Sequence, residues 1–120
     1  MLPFNEELSL EAMMDLRFVY ITCKDRDEAR RIGRDLVESR LAACANILDG
    51  MNSFYYWEDQ LQDDHEAVLI AKTRAERMDD LVARVCELHS YDLPCVVGLP
   101  IADGNPDYLR WVHESTPGAD

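Results

Sequence analysis

Two amphipathic helical segments alternate with short apolar runs along this chain, and that alternation admits few folds. In DRDEARRIGRDLVESRLAA, Asp25 and Glu28 have the spacing of a capping box, with Asp in place of Ser or Thr, and Ala29, Ile32, Leu36, Val37 and Leu41 recur on one helical face. In TRAERMDDLVARVCELH, Thr73 and Glu76 repeat the capping spacing, and Met78, Leu81, Val82, Val85 and Leu88 share a face. Pro94 forbids continuation of this second helix. LRFVYITC, apolar on both faces and rich in β-branched and aromatic residues, reads as an interior strand. CANIL reads as a second strand closed by a turn at Gly50 and Asn52, and SFYYWEDQL supplies a third. After the polar turn DQLQDD, HEAVLIAKT is a further strand or the return arm of a long hairpin, and CVVGLPI is the last core strand. Asn105 and Pro106 are an N-cap and a first-turn proline that introduce a short final helix with Tyr108, Leu109 and Val112 inward. Strand, helix, strand hairpin, helix, strand predicts an α+β chain of the ferredoxin-like, split βαβ kind, an antiparallel sheet with helices on one face.

A length of 120 residues fits one domain with a real core. Residues 16–115 carry the pattern, residues 1–15 form an acidic extension that predicts at most a frayed helix, and residues 116–120 are a tail. Twelve basic against 24 acidic side chains give a formal charge of −12, which repels a phosphate backbone, so nucleic acid is not an expected partner. No apolar run approaches the roughly 20 residues that span a bilayer, and the amino terminus lacks the basic start and apolar core of a secretory signal. A cytoplasmic protein without membrane contact is expected. Cys23, Cys44, Cys86 and Cys95 form no CxxC pair, which excludes a zinc ribbon and a thioredoxin-type motif and predicts free thiols.

SFYYWE packs four rings into one run. Along a strand Phe54 and Tyr56 point one way and Ser53, Tyr55 and Trp57 the other. Only one side can meet the helices of its own domain, and a sheet with helices on one side leaves its other face bare. The simplest cover for the remaining rings is an identical chain.

The segments RLAACANI, SFYYWE, EAVLIAKT, HSYDLP and DYLRW, in this order and spacing, resemble the signature segments of the CutA family, the divalent-cation tolerance proteins, over residues 16–115. The resemblance implies a ferredoxin-like fold assembled as a tight homotrimer, similar to the nitrogen-regulatory PII proteins, with the aromatic hairpin as the inter-subunit element. It also implies that Lys72 and Trp57 border a cleft between subunits, with Tyr56 and Glu66 beside them. Lys72 has a plainer reading as a strand-end ion pair with Glu58 or Glu66. Ser90 and Cys95 stand where the family commonly has a proline and an acid, and Asp59 stands where a glycine is frequent.

Topology points to a metal site. Cys23 closes the first strand, His89 closes the second helix and Cys95 opens the last strand, so all three should gather at one end of the sheet. Thiolate and imidazole suit copper or zinc rather than calcium or magnesium. The plainer reading is two packed cysteines and a histidine capping a helix end. The run Asp63 to Glu66 lacks the spacing of a calcium loop and reads as a solvated turn. Cys44 reads as a small buried hydrophobe, and Tyr108 and Trp111 as packing. No phosphate-cradling GxxxxGK, GxSxG elbow or HExxH occurs, so neither an enzyme nor an organic cofactor is expected. The leading expectation is a trimeric binder of copper or another divalent cation. A PII-like sensor of a small metabolite and a structural scaffold for other proteins are its rivals.

Overall fold

The computed structural model describes residues 15–118, so the frayed helix expected in the acidic extension, and the last two residues of the tail, lie outside the described residues. The elements are β1 (Leu16–Cys23), α1 (Arg26–Glu38), β2 (Cys44–Trp57), β3 (Gln60–Arg74), α2 (Met78–Leu88), β4 (Val96–Pro100) and α3 (Pro106–Ser115). They build an antiparallel sheet in the order β2-β3-β1-β4, the split βαβ arrangement.

Both ends of α1 follow from local chemistry. Asp25 has an extended backbone, and its carboxylate accepts the Glu28 N–H at 2.9 Å. At the other end Leu41 N–H reaches the Leu36 carbonyl at 2.9 Å and Arg40 N–H the Val37 carbonyl at 3.1 Å, a Schellman motif with Arg40 at φ 64° where glycine is usual. Arg40→Gly is therefore expected to stabilise the chain by about 1 kcal/mol, read as a raised melting temperature. Asn105 caps α3 through the Asp107 N–H at 3.1 Å, as its sequence predicts.

Thr73 does not cap the second helix. The β1–β3 ladder runs on to Leu16 opposite Arg74, so Thr73 is paired with Arg17 inside the sheet, fully buried, and a 3-10 turn at Ala75–Arg77 leads into α2 instead. Strand pairing has overridden the local capping signal, and the Thr73 hydroxyl has no hydrogen-bond partner among the described residues.

The two strands expected as CANIL and SFYYWE are one. Gly50, at φ 85°, does not turn the chain but forms a bulge between Leu48 and Met51 that keeps both on the same face. The reversal comes at Glu58 and Asp59, φ 51° and 62°, a two-residue hairpin turn that needs positive φ at both positions. The polar residues Gln60 to Asp64, expected as the turn, and the run Asp63 to Glu66 belong to β3. Apart from Leu61 they are polar, in keeping with an arm that is exposed or only partly covered along most of this length among the described residues. Fifteen residues in β3 at about 3.3 Å each make an arm of roughly 50 Å, and the chain is correspondingly elongated, 60 × 24 × 23 Å.

The core lies where α1 and α2 cover Val19, Ile21, Cys23, Leu69 and Ala71 on one face of the sheet. On the opposite face α3 covers only the end, packing Leu109 and Val112 against Leu16. Much of that face is open among the described residues, with Leu48, Val97 and Leu99 about half exposed or more, whereas Thr22, Glu66 and Val68 on it are buried. Among the described residues the hairpin end is partly exposed on the side of Tyr55 and Trp57 and largely exposed on the side of Phe54 and Tyr56. Phe54 and Tyr56, expected to lie either under the domain's own helices or against another chain, are 69% and 73% exposed because the arm extends beyond the helices.

Candidate metal centre and ligand cleft

The end of β1, the start of α1 and the end of α2 bring together Cys23, Glu28 and His89, all buried, with one ligand-type atom from each within 4.8 Å of the others. Two of the three residues expected from topology thus meet. The third, Cys95, lies outside this group and lines a neighbouring cleft, and Glu28 takes its place. Glu28 shows in the sequence only as a capping residue, and its second role comes from a loop 62 positions away. One oxygen accepts the Lys24 N–H at 3.0 Å and the other the Ser90 N–H at 2.9 Å. Burial would raise its pKa, but these two hydrogen bonds outweigh it and hold the carboxyl below its ordinary value.

The Tyr91 N–H donates to His89 Nδ1 at 3.1 Å, which assigns the ring proton to Nε2, where it is donated to the Thr22 carbonyl at 2.7 Å. Nδ1 sits 3.8 Å from Glu28 Oε1. Burial, with the charges of Glu28 and Glu66 adding to it, pushes the Cys23 thiol up to about 12, so at neutral pH it keeps its proton. The group is thus a closed polar hub that ties β1, α1 and the loop after α2 together. Its donors are a sulfur, an imidazole nitrogen and a carboxylate oxygen, a set that suits zinc or copper. To hold a cation there, Cys23 must lose its proton and His89 Nδ1 must exchange the Tyr91 N–H for the metal.

Beside the hub lies a cleft of about 420 Å³, lined by Thr22, Tyr55, Trp57, Glu66, Tyr91, Asp92, Leu93 and Cys95. Trp57 and Glu66 of the expected cleft set are therefore together. Lys72 and Tyr56 are not with them. Tyr56 projects from the other face of the hairpin, while Lys72 lies six residues further along β3 than Glu66, toward α3. There its ammonium is 3.4 Å from Asn46 Oδ1 and 3.7 Å from Cys44 Sγ, and 5.7 Å from the centre of the Tyr108 ring. The ion pair with Glu58 or Glu66 does not form, and Cys44 is half buried beside a cation and a phenol rather than in an apolar core. Tyr108 and Trp111 pack on each other at 5.6 Å, both still partly exposed. Tyr91, which sequence reasoning passed over inside HSYDLP, joins hub and cleft: its hydroxyl donates to Glu66 Oε2 at 2.7 Å. Burial first, then that bond, raises its pKa.

Residues 17–115 match the family described as CutA1 divalent ion tolerance protein. The chain belongs to that family. A CutA divalent-cation tolerance protein of Thermus thermophilus is 45% identical over 98 residues, which are 82% of this chain and 95% of the relative. The chloroplastic CutA 1 protein of Oryza sativa is 42% identical over the same share of this chain, and there the match spans 55% of the longer relative. The crystal structure of CutA1 from Oryza sativa superimposes with a TM-score of 0.85 at 39% identity, covering 88% of this chain and 96% of that one. A CutA structure from Archaeoglobus fulgidus, named as a periplasmic divalent cation tolerance protein, gives 0.82 at 37% identity over 85% and 99%. The CutA resemblance of the five sequence segments and the ferredoxin-like α+β fold they imply both hold. No helix among the described residues is long and apolar enough to cross a membrane.

Proposed function

We propose that this CutA-family chain acts in divalent-cation tolerance as a cytoplasmic homotrimer that takes copper or another soft or borderline cation between Cys23, Glu28 and His89. It binds rather than catalyses. The observation that supports the reading is the convergence of thiol, carboxylate and imidazole within 4.8 Å at one end of the sheet, and the names of its relatives point the same way. The four free cysteines fit a reducing compartment. The trimer rests on the bare hairpin rings and the open sheet face.

Because Cys23 keeps its proton up to a pH of about 12 in the cation-free hub, loading releases that proton and the affinity rises with pH. Titration of reduced protein with Cu(I), Cu(II) and Zn(II) tests the site. Cys23→Ser and His89→Ala are expected to lower affinity by about 100-fold or more, whereas Cys95→Ser leaves it unchanged. Parent-like affinity and stoichiometry in both hub variants would remove the metal site from this place. Loss in Cys95→Ser alone would move it to the cleft.

A further inference from the structure

The hub and the hairpin share a wall. Each ring nitrogen of His89 is bonded to the backbone of a residue that also lines the cleft: Nε2–H donates to the Thr22 carbonyl at 2.7 Å, and Nδ1 accepts the Tyr91 N–H at 3.1 Å. Tyr91 is held at its far end as well, where its hydroxyl donates to Glu66 Oε2 at 2.7 Å. Glu66 is buried in β3, opposite Met51 in the same ladder that carries Tyr55 and Trp57. The His89 and Tyr91 rings lie 4.7 Å apart. One side chain thus spans from the imidazole to the hairpin.

The cation site proposed above, on which this inference rests, cannot fill without disturbing that span. Both nitrogens of His89 are engaged, and Nδ1 is the one beside Glu28, at 3.8 Å. A ligand bond from Nδ1 displaces the Tyr91 N–H. A part-buried N–H that loses its acceptor costs free energy, so the loop shifts to find it another. The phenol stays tied to Glu66, and the shift then turns the ring or pulls on β3. Either movement alters the wall that Tyr91 shares with Trp57.

We propose that filling the hub is coupled to the aromatic hairpin through Tyr91, bonded to His89 in the cation-free chain and released in the loaded one. Those are the two states that coupling requires. Coupling is reciprocal, so a neighbouring copy packed on the hairpin shifts cation affinity in turn.

The experiment titrates Zn(II) into the reduced full chain carrying Trp111→Phe, so that Trp57 is the sole indole. Zinc has a filled d shell and no redox chemistry of its own. The same sample is followed by calorimetry and by Trp57 emission. Emission is expected to change in step with the heat, with one midpoint, and Cys23→Ser to weaken both together. Tyr91→Phe keeps the N–H but frees the far end of the ring. Its zinc affinity is expected to equal or exceed that of its parent, while most of the emission change is lost.

Zinc heat in the parent without a change at Trp57 would overturn the coupling and leave the cation site standing. Absence of zinc heat, or heat undiminished in Cys23→Ser, would remove the cation site and this inference with it. A full emission change in Tyr91→Phe would overturn the route through Tyr91.

Discussion

Light scattering at micromolar concentration is expected to give about 41 kDa, three times the 13.8 kDa of one chain. Phe54 and Tyr56 are the side chains on which that outcome turns, because they are the most exposed rings of the hairpin, 69% and 73% open among the described residues. Central interface aromatics each carry about 2–4 kcal/mol. Phe54→Asp with Tyr56→Asp should then weaken association by several orders of magnitude and yield monomer at the same concentration. A parent that scatters as a monomer would sink the trimer. A double variant that stays trimeric would move the contact to the open face around Leu48 and Leu99.

Glu28→Ala is expected to cost about 3–5 kcal/mol, a loss large enough to unfold a marginal domain. The substitution orphans the Lys24 and Ser90 N–H groups, which a buried site cannot hand to water. Glu28→Gln should lose less, since its amide oxygen still accepts one of them. The pH dependence has a definite sign. The folded carboxyl titrates below its ordinary value of 4.5, so the unfolded chain takes up the proton first. The stability from this group is complete above about pH 5 and is lost as pH falls through 4.5 toward the lower folded value. The gap between parent and Glu28→Gln, measured by urea unfolding, should therefore narrow on acidification. A gap that is constant from neutral pH to pH 3 would mean that Glu28 is not the charged centre of the hub.

The order of elements was legible because each carries its own period, and the caps Asp25 and Asn105 act within three residues of themselves. What was misread depends on distant partners. Thr73 and Glu76 carry a valid capping signal, yet Thr73 sits opposite Arg17 in a ladder that local spacing does not reveal. Gly50 and Asn52 look like a turn, and only pairing of Met51 with Glu66 on the far arm turns them into a bulge. The candidate site divided in the same way. Strand and helix ends placed Cys23 and His89 at one edge of the sheet, but whether Cys95 or Glu28 completes the group is decided by side-chain direction and by the loop that carries Ser90. Lys72 and Glu66 share a face of β3, so their pairing was plausible, but six positions along an extended strand separate them by roughly 20 Å.

The arm formed by β2 and β3 sets how this protein should come apart. Its inner half is anchored by α1 and by β1, whereas among the described residues its outer half, from Ser53 through Asp64, is held chiefly by the ladder across its turn and by the Tyr55–Asp64 hydrogen bond. An isolated two-stranded ribbon is marginal in water, so in a lone chain the tip should open without the core, exchanging its amide protons early and offering the first cut to a protease. Neighbouring copies that cover the rings would convert that independent fraying into a shared event. The melting temperature would then climb with protein concentration, and dilution alone would act as a denaturant of the tip.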